Sequence, residues 1–203
     1  LEDPPDAETV CGLGNRKNEL FRELLAEGVE AFDDAVDKLK EWREQGLKTA
    51  IVSSSKNCAA VLDAAGVSEL FDVRVDGKTA EEMNLKGKPA PDIFVEAAEK
   101  LGVQPDRSIV FEDAIAGVQA GRRGHFALVV GVARNGNGAA LREHGADLVI
   151  ERLDEFTFET LPQAEIPPEA PTVDEVVDAI LARAGEREIA VFLDYDGTLT
   201  PIV

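Results

Sequence analysis

The feature that most restricts the fold is a rhythm. Short apolar, β-prone runs recur along the chain, at "LKTAIVSSS" (47–55), "FDVRVDG" (71–77), "SIVFED" (108–113), "FALVVGV" (126–132), "ADLVIE" (146–151) and "IAVFL" (189–193). Most of these runs lack a polar face, so they read as strands covered by protein on both sides, while 71–77 reads only as a short strand. Between them the apolar residues return at helical spacing. In 16–27 Leu20, Phe21, Leu24 and Leu25 share a face, and in 31–45 Phe32, Val36, Leu39 and Trp42 do, with Gly46 as the stop. Further helices are predicted at 57–65, 91–101, 114–123 and 138–144. Helix alternating with strand predicts an α/β fold, a Rossmann-like core with a parallel sheet and helices on both faces. Ligands of such sheets bind beyond the carboxyl ends of the strands. Here those ends carry Ser53, Glu112, Asp113 and Asp194.

Composition narrows the function. The 203 residues suffice for one good core, or a core with a small appendage. Apolar residues make up 44% and aromatics only 5%, which predicts a core of Val, Ile, Leu and Ala. A net charge of -19 repels phosphate backbones, so no nucleic-acid partner is expected. An anionic substrate then needs a local cationic pocket or a metal. No stretch reaches the roughly 20 apolar residues that span a bilayer, so no membrane segment is expected. Cys11 and Cys58 alone form no disulfide framework and fit a reducing, cytoplasmic compartment. His125 and His144 do not cluster with other ligands, which argues against zinc and against a Ser-His-Asp triad. From about Asp154 to Thr172 the chain turns Pro-rich and acidic and reads as a linker, followed by a capped helix, "TVDEVVDAILARAG".

Four stretches can carry chemistry. In "FLDYDGTLT" Asp194 and Asp196 lie two residues apart at a strand end, and Gly197 permits a sharp turn. Two close carboxylates repel each other, and a hard cation such as Mg²⁺ relieves that repulsion. One can attack phosphorus while the other handles a proton. A bare D-x-D-G is also an acidic turn after a strand. Ser53, with the neighbouring amides, ends a buried strand ahead of a helix and can cradle phosphate oxygens, or simply cap that helix. Asn57 opens the helix as a second donor. Lys88, between Gly87 and Pro89, is either a solvated lysine or a point charge for a phosphoryl group. Glu112 and Asp113 follow an apolar run and are either helix caps or metal ligands.

Together these stretches resemble the haloacid dehalogenase-like (HAD) superfamily. "DYDGTLT" is similar to its first motif, "IVSSSKN" to the second, "GKPAPDIF" to the third and "VFEDAIAGVQAG" to the fourth. Residues 12–150 most resemble the β-phosphoglucomutase-like subgroup, and the end of the chain resembles the start of a trehalose-6-phosphate phosphatase. The resemblance implies an aspartyl-phosphate intermediate on Asp194, with Asp196 as acid and base and Lys88 as the catalytic cation. It implies phosphate binding by Ser53, Ser54 and Asn57, and Mg²⁺ held by Asp194, Asp196, Glu112 and Asp113. "GLGNRKNELF" resembles the end of a helical cap, which implies that Arg16, Lys17 and Asn18 face substrate; a solvated helix face is the competing reading.

The order of the motifs departs from the family, where the nucleophile motif comes first. The expected organisation is therefore a cap remnant (1–30), a HAD-like core lacking its own first strand (31–153), a linker (154–171), and the helix and first strand of a trehalose-phosphatase-like domain (172–203), as in a piece of a longer fusion. An open central slot would leave unpaired strand edges inside the core. The sequence therefore predicts that residues 189–194 fill that slot. By resemblance the function is Mg²⁺-dependent phosphoryl transfer on a phosphorylated sugar. The alternatives are a β-phosphoglucomutase-like mutase and a non-catalytic accessory domain. Oligomeric state stays open.

Overall fold

A computed structural model describes residues 3–157, 190–194 and 197–200. The linker beyond 157, the helix expected at 172–184, and Asp196 lie outside the described residues. The helices are α1 (Val10–Ala26), α2 (Asp33–Glu44), α3 (Cys58–Ala64), α4 (Gly77–Glu82), α5 (Asp92–Leu101), α6 (Ile115–Arg123) and α7 (Gly138–Glu143). The strands are β1 (Lys48–Val52), β2 (Val73–Val75), β3 (Ser108–Glu112), β4 (Leu128–Val132), β5 (Leu148–Ile150) and β6 (Ala190–Asp194). They form a six-stranded sheet in the order β2-β1-β6-β3-β4-β5, parallel at every pairing.

β6 lies in the centre, bonded to β1 on one side and β3 on the other, as the open slot required. All five of its residues are buried. Without it, two rows of backbone donors and acceptors would face each other unpaired in the protein interior.

Period-two alternation divides the strand residues between two cores. Ile51, Ile109, Phe111, Val191 and Leu193 face α2 and α3, with Leu39, Trp42, Val61 and Leu62 against them. Ala50, Val52, Val110, Ala190 and Phe192 face α5 and α6, with Ile93, Phe94, Ala97 and Val118 against them. The core is mostly Val, Ile, Leu and Ala, as expected, with six aromatic rings set into it among the described residues. The few aromatics concentrate at the middle of each layer. Trp42, Phe111 and Phe156 have ring centroids 5.0–6.1 Å apart on one side, while Phe126 meets Phe94 at 5.8 Å and Phe192 at 5.3 Å on the other.

Local signals explain several helix ends. The chain after α2 turns at Gly46 with φ of +82°, and α5 ends on Gly102 at +70°, conformations that suit glycine. α1 begins at Val10, six residues before the expected start, because the Thr9 hydroxyl accepts a bond from the Gly12 N–H at 3.0 Å and caps it. α4 was not expected; Asp76, buried, accepts from the N–H groups of Lys78 and Thr79 and starts that turn. Phe21 and Leu25 of α1 pack on the first core, whereas Val10, Leu13, Leu20 and Leu24 are exposed. No helix among the described residues is long and apolar enough to cross a membrane.

Candidate active site

The sheet register creates the site. Val52 pairs with Asp194, and Phe111 pairs with Leu193, so Glu112 ends its strand level with Asp194 on the neighbouring one. Asp194 has the parity of Ala190 and Phe192, and Glu112 that of Val110, so both carboxylates start on the α5 face. Lys88 arrives on the segment leading into α5 and lies between them. Its Nζ donates to Glu112 Oε2 at 2.7 Å and to Asp194 Oδ1 at 2.5 Å. The ammonium also stands 5.0 Å from the centroid of the Phe94 ring. Oxygens of Glu112, Asp113 and Asp194 lie within 4.8 Å of one another, and all three residues are buried.

Three buried acids with one lysine form a strongly coupled group. Burial pushes the Glu112 carboxyl up to about 8, and the Asp194 charge adds to the rise despite the opposing Lys88 ammonium. Burial would lower Lys88, but the charges of Asp194 and Glu112 outweigh it and hold the ammonium protonated above its ordinary range. The protein backbone is shaped around the acids. A Cβ added at Gly117 would fall inside the Glu112 carboxylate, and one at Gly197 inside that of Asp113. Gly197 also has φ of +82°, so it is required on two counts. An all-oxygen set of carboxylates, held close by a single cation and walled by glycines, fits a hard divalent ion such as Mg²⁺. Neither glycine was singled out from the sequence as a wall for a carboxylate; the signal was only their spacing from the acids.

Ser53 follows β1 and so stands beside the end of β6. It is buried, and its Oγ accepts from the Ser55 N–H at 3.0 Å. Ser55, which sequence reading passed over, accepts in turn from the Asn57 N–H at 3.1 Å. These nested turns hold the loop in place, while Ser54 is exposed at its tip. Asn57 stands at the N-terminus of α3 without capping it, and its amide donates instead to Asn18 of α1 at 3.3 Å. Of the three cap residues expected to face substrate, Asn18 meets the core. Arg16 is exposed and donates to the Pro5 carbonyl at 3.0 Å, and Lys17 is exposed. The helix periodicity could not separate these three, because which of them reaches the core depends on how α1 lies on α3.

The sheet and its lysine-bridged acidic centre define an α/β protein with carboxylates gathered at the carboxyl end of its strands. A family profile described as haloacid dehalogenase-like hydrolase matches residues 3–125, more than half the chain, and the chain belongs to that family. It is 50% identical over 159 residues to a protein named beta-phosphoglucomutase from Mycobacterium tuberculosis, covering 76% of this chain and 61% of that protein's length. It is 35% identical over 177 residues to a trehalose-phosphate phosphatase from Mycobacterium leprae, covering 84% of this chain and 38% of the relative. Among solved structures, a beta-phosphoglucomutase from Clostridium difficile superimposes with a TM-score of 0.62 at 26% identity, over 83% of this chain and 67% of that one.

Proposed function

We propose that the protein is a Mg²⁺-dependent phosphatase or phosphotransferase that acts on a phosphorylated sugar through a phosphoryl group carried on Asp194. The observation that carries this reading is Lys88 placed between Asp194 and Glu112, with Asp113 alongside, at the carboxyl end of the sheet. The names of the mycobacterial relatives, a phosphoglucomutase and a trehalose-phosphate phosphatase, support a sugar phosphate as substrate.

In this reading an Asp194 oxygen attacks the phosphorus, the new O–P bond forms, and the bond from phosphorus to the sugar oxygen breaks. Asp196, two residues on and outside the described residues, gives its proton to the leaving sugar oxygen and later removes one from the incoming water, whose oxygen bonds to phosphorus as the Asp194 O–P bond breaks and inorganic phosphate leaves. Lys88 keeps its proton throughout, because two anions surround it, and its charge draws the phosphoryl oxygens towards the nucleophile. Ser53 and the amides of its loop receive the remaining phosphoryl oxygens. Glu112, Asp113, Asp194 and Asp196 would hold the Mg²⁺, which when bound supplies positive charge for the phosphoryl group and lowers the mutual repulsion of the acids. The division into a cap remnant, core, linker and terminal unit belongs to the same proposal.

A mutase is the second reading, favoured by the 50% identity to the mycobacterial phosphoglucomutase. There a sugar hydroxyl replaces water as acceptor. Phosphate release and sugar-phosphate isomer formation are measured with glucose phosphates and trehalose phosphate, with Mg²⁺ and with chelator. Activity that falls to background in Asp194→Asn and in chelator supports the proposal. Full activity in Asp194→Asn overturns it, and isomer formation without phosphate release selects the mutase.

A further inference from the structure

One short loop, residues 133–137 between β4 and α7, grips both backbone segments that carry the acids. At its start, Arg134 NH2 donates to Asp34 Oδ2 at 2.7 Å and to the Thr198 carbonyl at 3.3 Å. The guanidinium lies 3.9 Å above the Phe32 ring, and the Phe32 N–H donates to the Leu199 carbonyl at 2.9 Å. Asp34 is almost fully buried and also accepts from the Leu153 N–H at 2.7 Å, so it fixes the direction in which Arg134 points. At the end of the loop, Asn137 Nδ2 donates to the Asp113 carbonyl at 2.8 Å. The loop is itself tied down by the Ala133 N–H to the Ile150 carbonyl at 2.7 Å and the Gly136 N–H to the Ala133 carbonyl at 3.0 Å. The turn it holds is closed by the Gly197 N–H to the Thr200 carbonyl at 2.8 Å, and that turn presses on the Asp113 carboxylate.

We propose that the 133–137 loop is a clamp that sets the spacing between the Asp113 and Asp194 carboxylates, with Arg134 and Asn137 as its positioning residues. The proposal rests on the reading of this site as one that holds a divalent cation. Carboxylates this close repel one another, and the sheet ladder ends at Glu112 and Asp194, so Asp113 and the 197–200 turn lie beyond its restraint. Both grips are on backbone carbonyls, so they hold the main chain and leave the carboxylate oxygens for a ligand. One of them is charge-assisted and oriented by a buried partner, the stronger kind of hydrogen bond. Partners that orient metal-binding groups in this indirect way typically change metal affinity about 10–100-fold when removed.

The test compares the parent chain with Asn137→Ala, Asn137→Asp, Arg134→Met and Arg134→Lys. Amide hydrogen exchange without metal should be at least about 10-fold faster over 113–118 and 197–200 in the variants than in the parent. Calorimetric Mg²⁺ binding should weaken by about 10–100-fold. Arg134→Lys keeps a charge opposite Asp34, so its melting temperature should stay near the parent's while its Mg²⁺ affinity falls with that of Arg134→Met. At limiting Mg²⁺, kcat should fall and KM for the phosphate ester should hold. Parent-like exchange and parent-like Mg²⁺ affinity in the Asn137 variants and in Arg134→Met overturn the clamp. If the parent itself binds no Mg²⁺, the cation reading fails. The exchange rates then decide the clamp alone, unchanged rates refuting it and faster rates supporting it.

Discussion

Replacing Lys88 by methionine tests the electrostatics of the centre most directly. The side chains of Lys88, Glu112 and Asp194 are 9%, 1% and 10% exposed, and the ammonium is the bridge between the two acids. Removing one partner from a buried ion pair costs about 3–5 kcal/mol, because the charge left behind is uncompensated. That is a large fraction of the roughly 5–15 kcal/mol that holds a domain folded. The loss depends on pH. Glu112 has an ordinary value of 4.5 and is pushed up to about 8 in the folded chain, so between those values the folded state holds a proton that the unfolded chain has released. Its contribution is therefore fully present below 4.5 and is lost as pH rises through about 8. In Lys88→Met the opposing ammonium is gone and Glu112 shifts further up, so the folded variant keeps that proton to a higher pH and its loss of stability relative to the parent grows as pH rises. Urea denaturation in chelator at pH 6 and pH 9 reads the difference. The variant should lose about 3–5 kcal/mol at pH 9 and distinctly less at pH 6. Excess Mg²⁺ should narrow the gap at pH 9, since an ion that binds only the folded chain at 100 times its Kd adds about 2.7 kcal/mol. A variant as stable as the parent at pH 9 in chelator refutes the reasoning.

Three further outcomes are expected. Gly117→Ala places a methyl group inside the Glu112 carboxylate and should destabilise the chain by about 1–3 kcal/mol, with weaker Mg²⁺ binding, both measurable by denaturation and calorimetry. Asp72 is held below its ordinary value of 3.8: slight burial opposes the shift, but the Thr49 N–H at 2.9 Å and the Arg43 guanidinium at 2.9 Å outweigh it. Its contribution is present above 3.8 and lost as pH falls through the lower folded value, so Asp72→Asn should flatten the acid limb of the stability curve relative to the parent. Asp194→Asn should abolish turnover, and since it leaves Lys88 paired with Glu112 and relieves the Asp194 charge that pushes Glu112 up, the thermal midpoint in chelator should fall less than in Lys88→Met.

Much of the site was legible because its residues fall at strand ends. Glu112, Asp113 and Asp194 each close an apolar run, and the rule that strand ends of an α/β sheet face one rim brought them together before any geometry was known. Lys88 was legible only beside the other motifs, since a lysine before a helix is otherwise indistinguishable from a solvated one. The sequence did not separate Arg16 and Lys17 from Asn18, because a helix pattern identifies its faces without saying which neighbour each face meets. Arg134, Asn137 and Asp34 left no local mark. Asp34 reads as an acidic residue in the first turn of a helix, yet its carboxylate binds the backbone of Leu153 and the guanidinium of Arg134, both about a hundred residues away in the chain.

By itself the sequence determined most of the elements, the parallel sheet and which strand ends bear acid, because periodicity and apolar runs are local properties that backbone hydrogen bonding and burial convert directly into structure. Tertiary packing alone decided the register of Ala190–Asp194 against β1 and β3, which sets Asp194 level with Glu112, and that one lysine sits between two carboxylates. The physical reason is that register and charge spacing depend on distances across the sheet. No interval along the chain encodes them.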